Sequence, residues 1–367
     1  MERRGRSLED LVAPSSAFWC NKKVLVTGHT GFKGSWLTAW LLKMGANVTG
    51  LSLKPKGENS LFNVLGLEDK IQHHLVDIRE VDKVFSVLEG TQPEIVFHLA
   101  AQALVLPSYE NPIETYSTNV MGTLHLYEAC RVVCRPQVIV NVTSDKCYEN
   151  KEWPWAYREN EPMGGFDPYS SSKGCSEILT ASYRQSFFKK TSTQLASVRA
   201  GNVIGGGDWS YARLIPDIIM ALKDQRAPII RNPQSIRPWQ HVLEPLSGYL
   251  AVAEKAFENK GEFDQAWNFG PNESDTLTVR QITEVIGRIW GENAEFQYGN
   301  SGHNPHEAHF LKLDSSKAKT YLEWKPRLGI EKALTWTVNW YKSWLKGENM
   351  MEFTNAQIDN YIRNKHL

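Results

Sequence analysis

Between Lys22 and about Arg199, short apolar runs alternate with stretches whose apolar residues recur at helical spacing. Residues 23–26 read as a strand that runs into a glycine-rich turn, and residues 35–44 as a helix stopped by Gly45. Residues 47–53 and 72–76 read as the second and third strands, followed by an amphipathic helix over 80–88. The fourth strand, 94–99, is almost wholly apolar, as suits a parallel sheet covered on both faces. A long helix over about 113–133, a fifth strand at 137–142, a helix opening near Pro168 and a sixth strand at 193–198 complete the series. This alternation predicts an α/β fold built on a Rossmann-type doubly wound parallel sheet.

After Arg199 the rhythm breaks. Turns fall at 205–207, 232–233 and 270–271, and short helices are predicted at 214–223, 243–257, 278–290 and 328–345. This region reads as a smaller C-terminal substrate-binding cap on the carboxyl edge of the sheet. The expected division is an N-terminal extension (1–21), a dinucleotide-binding domain (22–200), a mainly cap region with segments returning to the sheet (201–348), and a C-terminal tail (349–367). The extension and the tail show no pattern that predicts an element.

Composition narrows the partners. Lys+Arg and Asp+Glu both number 41, so the formal charge is zero and nothing favours nucleic acid or an anionic membrane. No apolar run reaches the ~18 residues that span a bilayer, and residues 1–20 lack the pattern of a secretory signal. The five cysteines include no C-x-x-C pair, and no His or Cys cluster completes a metal site around Cys130 and Cys134. A cytoplasmic protein without a metal is expected.

The candidate chemistry starts at Thr27-Gly28-His29-Thr30-Gly31-Phe32-Lys33-Gly34. Glycines spaced G-x-x-G-x-x-G between a strand and a helix permit a tight turn, close backbone approach to a pyrophosphate and close helix packing. Asp77, at the end of the third strand, is placed to accept from an adenine amino group. His98-Leu99-Ala100-Ala101 ends the fourth strand with small residues. The acidic residue that usually follows the second strand is missing. Gly50-Leu51-Ser52-Leu53-Lys54-Pro55-Lys56 stands there, and on physical grounds its lysines leave NADP open. Tyr169 and Lys173 lie one helical turn apart, where an ammonium would lower the phenol pKa and help it act as a base. Ser144 leaves the fifth strand where open α/β sheets bind ligands, and is placed to bond the same substrate hydroxyl.

Together these features resemble the extended short-chain dehydrogenase/reductase family, over about residues 22 to beyond 342. The glycine turn with Ser35-Trp36, His98-Leu99-Ala100-Ala101-Gln102, Thr143-Ser144-Asp145-Lys146-Cys147-Tyr148 and Arg237-Pro238-Trp239-Gln240-His241-Val242 are similar to the nucleotide-sugar dehydratase branch that acts on CDP-glucose. The resemblance implies a lyase with tightly held NAD. It oxidises C4 of the sugar, eliminates water across C5 and C6, and reduces C6. It implies cofactor contacts at Gly28, Thr30, Gly31, Phe32, Lys33, Gly34, Ser52, Lys54, Asp77, Ile78, Leu99, Ala100, Ala101, Tyr169 and Lys173. Ser144, Asp145, Lys146, Tyr169 and Lys173 form the implied catalytic set. Asp145 serves as acid only if its pKa rises, and Lys146 is either a base of lowered pKa or a cation facing an enolate. Substrate contacts are expected at Gln102, Asn202, Arg213, Arg231, Arg237 and His241, with His241 alternatively a structural histidine and Trp209 and Trp239 as packing. Relatives pair through the two long helices, so a homodimer or higher homo-oligomer is expected. The rival readings are a sugar-nucleotide 4-epimerase, which needs no Asp145-Lys146 pair, and a dinucleotide-sensing regulator, which needs no Ser144, Tyr169 and Lys173.

Overall fold

The computed structural model describes residues 14–210, 213–230, 232–291, 294–299 and 311–363. Seven parallel strands form the central sheet: β1 (Lys23–Thr27), β2 (Asn47–Ser52), β3 (Gln72–Leu75), β4 (Ile95–His98), β5 (Val138–Val142), β6 (Gln194–Ala200) and β7 (Ala266–Phe269). Their order is β7-β6-β5-β4-β1-β2-β3. The direction of winding reverses between β1 and β4, and such a switch point opens a crevice at the carboxyl ends of the strands.

Alternation along the strands builds two cores. Val24, Val26, Ile95, Phe97, Val138 and Val140 face one layer; Leu25, Val96, Ile139 and Leu195 face the other. The first layer includes Trp36 and Trp40 of the helix Phe32–Lys43 together with the helices Leu243–Glu258 and Ile330–Leu345. The second holds the helix Val81–Thr91 and a continuous helical run over 112–134, interrupted by π turns at Ser117–Met121 and Cys130–Cys134. The helix Pro168–Tyr183 lies beside that run. A three-stranded sheet beyond the main one joins Asn202–Ile204, Ile236–His241 and Thr276–Thr278.

Three features sharpen the sequence expectation. The first helix begins at Phe32, three residues before Ser35, because Gly31 is extended (ψ 171°) and acts as its N-cap. Residues 266–269 return to the sheet as its seventh strand. The C-terminal stretch forms a helix, Met350–Arg363, whose Tyr361 packs on Trp40 and bonds Glu244 through its hydroxyl (2.8 Å). At the other end Trp19 is buried, with its indole N–H on Glu254. No helix among the described residues is long and apolar enough to cross a membrane.

Candidate active site

The turn after β1 is shaped for backbone alone. Gly28 has φ +73°, and a Cβ there would lie 2.7 Å from the Ala100 nitrogen. A Cβ on Gly34 would lie 2.1 Å from the Gly28 carbonyl oxygen, so helix and turn touch without side chains between them. Gly31 offers no side-chain cap, which leaves the first amides of the helix for an anion. The carboxyl ends of β1 and β4 are tied by Thr27, whose Oγ1 meets His98 Nδ1 (2.7 Å) and accepts from the amides of Leu99 (3.2 Å) and Ala100 (3.1 Å). Ala101 follows, partly exposed at the crevice end of β4. This narrow cradle fits the pyrophosphate of a dinucleotide.

Along the β2 side, the hydroxyls of Thr30 and Ser52 pair at 2.8 Å, and Thr30 also donates to the Leu53 carbonyl at 3.0 Å. Lys54 is exposed just past them. Asp77 is held by Arg79, whose Nη2 lies 2.6 Å from its carboxylate and keeps its pKa below the usual carboxylate range. Arg79 was not singled out from sequence. Ile78 is buried where Gly122 leaves room: a Cβ on Gly122 would be 2.5 Å from its Cγ2.

Ser144, Asp145, Tyr169 and Lys173 converge at the carboxyl end of β5. Ser144 donates to Asp145 Oδ1 at 3.0 Å and lies beside the Tyr169 phenol. Asp145 is only 6% exposed; burial raises its pKa despite the opposing charges of Lys146 and Lys33. Gly201 makes room for this carboxylate, since a Cβ there would sit 3.0 Å from its Oδ2. Lys146 is partly exposed, and its amide donates to Ser144 Oγ at 3.3 Å. The tyrosine departs from the sequence expectation. Burial pushes the Tyr169 phenol up to about 12, against the opposing influence of Ser144. The Lys173 ammonium instead donates to the Val142 carbonyl (3.3 Å), and burial lowers its pKa to about 8.

Several supporting residues escaped the sequence reading. Asp167 caps the helix that carries Tyr169 and Lys173, accepting from the Ser170 amide at 2.9 Å. Asn119 donates to Ser172 Oγ (2.8 Å) and to the Gln102 carbonyl (3.0 Å) from within a π turn. Beneath Ser144, Thr143 bonds Glu177, which holds Arg199 in a buried ion pair (2.8 Å). The Asp167 cap has a local signal, Asp before Pro at a helix start; the other roles depend on long-range contacts.

The expected substrate residues divide. Asn202 and Arg237 lie on adjacent strands of the small sheet, with Asn202 opposite Trp239. Arg213 is partly exposed and pairs with the buried Asp208 at 3.1 Å. Arg231 lies outside the described residues. Two of them are engaged within the fold itself. His241 is fully buried between Trp36 and Trp336, and burial lowers its pKa to about 3, so it is a core histidine. The Gln102 amide is engaged by its own loop, donating to Leu104 O (2.9 Å) and Thr115 (3.0 Å) and accepting from the Leu104 amide (2.6 Å). Trp209 packs on Tyr341 and Trp344, and Trp239 is partly buried against the core.

Comparison with known proteins agrees with this geometry. The profile of the GDP-mannose 4,6 dehydratase family matches residues 25–337. A CDP-glucose 4,6-dehydratase of Salmonella typhimurium is 52% identical over 350 residues, covering 94% of this chain and 97% of that protein. A dTDP-glucose 4,6-dehydratase of Xanthomonas campestris is 27% identical, covering 88% of this chain and 95% of that protein. Among solved structures, a UDP-glucose 4-epimerase of Thermotoga maritima with UDP-glucose has a TM-score of 0.77 at 22% identity, covering 88% of this chain and 99% of its own. A dTDP-glucose 4,6-dehydratase of Bacillus anthracis in complex with NAD has a TM-score of 0.72 at 20% identity, covering 90% and 99%. These two structural likenesses establish the shared fold.

Proposed function

The chain belongs to the GDP-mannose 4,6-dehydratase family, and from that premise we propose that it converts CDP-D-glucose to CDP-4-dehydro-6-deoxy-D-glucose and water. The observation that carries the reading is Asp145. A buried carboxyl of raised pKa stands one hydroxyl away from the phenol that would oxidise the sugar. A 4-epimerase needs no such acid.

Gly28, Gly31 and Gly34, with Thr30, Phe32, Lys33, Ser52, Lys54, Asp77, Ile78, Leu99, Ala100 and Ala101, form the dinucleotide cradle. They would hold NAD, whose nicotinamide would supply the hydride acceptor for C4 and the donor for C6. Tyr169 receives the O4 proton while Ser144 holds the same oxygen, and Lys173 supplies positive charge as the phenolate forms. The resulting ketone acidifies the C5 hydrogen. Asp145 protonates the departing C6 hydroxyl, and its raised pKa keeps that proton available closer to neutral pH. Lys146 faces the developing enolate as a cation. Arg213, Arg231 and Arg237 supply the charge a diphosphate needs, and Asn202 supports it.

The homodimer reading rests on the two long helices, which leave Tyr116, Met121, Val132, Ile178 and Phe187 exposed. Apolar side chains gathered on two adjacent helices mark a surface that a second copy of the same helices would cover. A cytoplasmic site of action is the reading that five free thiols, one of them exposed, support.

The test is incubation of the purified protein with CDP-glucose in deuterated water. The expected product is a 4-keto-6-deoxy sugar nucleotide carrying deuterium at C5, with no net reduced cofactor. Unchanged CDP-glucose, with dehydration of another nucleotide-glucose, would overturn the cytidine assignment.

A further inference from the structure

The turn after β5 runs from Thr143 to Tyr148 and carries Ser144, Asp145 and Lys146 between its ends. Both ends lead to one buried side chain, Arg199 of β6. At the front, Thr143 Oγ1 donates to Glu177, and Glu177 accepts from Arg199 Nε (2.9 Å) and Nη2 (2.8 Å). At the rear, Arg199 Nη1 donates to the Tyr148 hydroxyl at 2.6 Å, and that hydroxyl donates to Asn268 Oδ1 on β7 at 2.8 Å. The guanidinium carbon also lies 4.9 Å from the centre of the Tyr148 ring. A planar fork can serve a carboxylate with one edge and a phenol with its remaining nitrogen, which an ammonium cannot do.

Glu177 joins this clamp to the redox pair. Tyr169, Lys173 and Glu177 stand at four-residue steps on the helix Pro168–Tyr183, all buried, so they share one face. The helix touches the turn at Gly174, where a Cβ would lie 3.2 Å from the Cys147 carbonyl oxygen. The helix also has supports of its own. Asp167 caps it, Ser108 Oγ accepts from the Tyr169 amide at 3.1 Å, and Asn119 holds Ser172. None of these bonds passes through Arg199 or Tyr148. The two ends of the turn are therefore not equivalent. Loss of the rear tie leaves Thr143 on Glu177, next to Ser144, and leaves the Cys147 carbonyl on the Gly164 amide (2.8 Å). It loosens the stretch that carries Asp145 and Lys146.

We propose that Arg199 and Tyr148 are positioning residues for the elimination step: they fix where Asp145 and Lys146 stand relative to Tyr169 and Lys173. The inference rests on the dehydratase reading above. Oxidation at C4 and loss of water across C5 and C6 act on neighbouring carbons of one bound sugar. The redox pair sits on the helix and the acid on the turn, so the separation of helix and turn must be held. A buried hydrogen-bonded network holds such a separation more sharply than packing alone. Displacing the acid by about 1 Å costs on the order of 10²-fold in rate.

The test is a single turnover of CDP-glucose. Absorbance of the reduced nicotinamide reads oxidation. A borohydride quench followed by mass spectrometry separates the sugar that has lost water from the sugar that has not. Tyr148→Phe keeps the ring stacked on Tyr157 (centroids 5.1 Å apart) and removes only the hydroxyl. It should oxidise C4 within about threefold of the wild-type rate and lose water about 10–100-fold more slowly, so that reduced cofactor and intact 4-ketosugar accumulate. Arg199→Lys, which keeps a charge for Glu177 without the fork, should show the same split. Tyr157→Phe is the control. It removes a hydroxyl from the same aromatic stack, one that binds the Lys151 amide (2.7 Å) and Asn150 (3.1 Å) and no member of the clamp. Its ratio of elimination to oxidation should match wild type. Bound NAD and the thermal midpoint of each variant are measured first; if Arg199→Lys does not fold, Tyr148→Phe decides alone. Equal slowing of both steps in Tyr148→Phe overturns the proposal, as does elimination at the wild-type rate or the same split in Tyr157→Phe. A wild-type protein that makes no 4-keto product from CDP-glucose refutes the dehydratase reading, and this inference with it, before any variant is compared.

Discussion

Removing the Glu177 carboxylate tests whether the layer under the catalytic strand holds the fold together. Glu177 is buried, with a side chain 3% exposed against 4% for Arg199. Its oxygens accept from Ser197 Oγ (2.7 Å), from Arg199 Nε (2.9 Å) and Nη2 (2.8 Å), and from Thr143 Oγ1. In Glu177→Ala the guanidinium keeps Tyr148 Oη (2.6 Å) and the Glu159 carbonyl (3.2 Å) but loses its counter-charge. Breaking one side of a buried pair costs roughly 3–5 kcal/mol. At about 2 °C per kcal/mol, the scale for larger domains, the melting temperature should fall by roughly 6–10 °C. Burial raises the Glu177 pKa, but Arg199 and the hydroxyl donors outweigh it and hold it low. A depressed carboxylate contributes stability above its unfolded pKa of about 4.3 and loses it as pH falls through the folded value. The gap between wild type and Glu177→Ala should therefore be full at pH 7 and shrink in acid. Equilibrium urea unfolding followed by tryptophan fluorescence measures it. A loss below about 1 kcal/mol at pH 7, or a gap that widens in acid, refutes the reasoning.

Two further perturbations address the cradle and the C-terminal helix. Gly34→Ala puts a methyl 2.1 Å from the Gly28 carbonyl and must force the turn apart; NAD binding, measured by equilibrium dialysis, should weaken at least tenfold, and unchanged affinity would show that the turn does not form the cradle. Tyr361→Phe removes the hydroxyl between Glu244 (2.8 Å) and Ser247 (2.9 Å) and should cost about 1–3 kcal/mol in urea unfolding, with turnover per folded molecule unchanged.

The parts legible in sequence were those whose physics is local. Strands β1, β4 and β5 could be read because each is a largely apolar run, and the helix at 214–223 because its apolar face recurs at helical spacing. The glycine turn could be read because close backbone approach leaves only glycine. Strand β7 was not read. It has four residues, and its buried Asn268 is satisfied by Tyr148, Tyr157 and Asp314, all distant in sequence. The helix Met350–Arg363 was missed because Thr354 and Gln357 interrupt its buried face of Met350, Ile358 and Tyr361. His241 misled in the opposite direction: histidine beside arginine and tryptophan suggests a ligand, yet Trp36 and Trp336 enclose it from distant parts of the chain. Nothing in the order of residues says where the Lys33 amine points, because Tyr249 and Asp208 meet it only after folding.

Burial acts on this site with one rule and two signs. Desolvation penalises whichever form carries charge, so it raises Asp145 and Tyr169 and lowers Lys33 and Lys173. The carboxyl and the amines are thereby drawn from opposite ends of the scale toward neutrality, where a donor and an acceptor of protons coexist. The tyrosine goes the other way, to about 12, and becomes a useful base only when positive charge arrives beside it. In the proposed reaction Tyr169 and Lys173 serve the redox step at a hydroxyl, and the carboxyl of Asp145, placed one residue beyond Ser144, would extend that chemistry to loss of water.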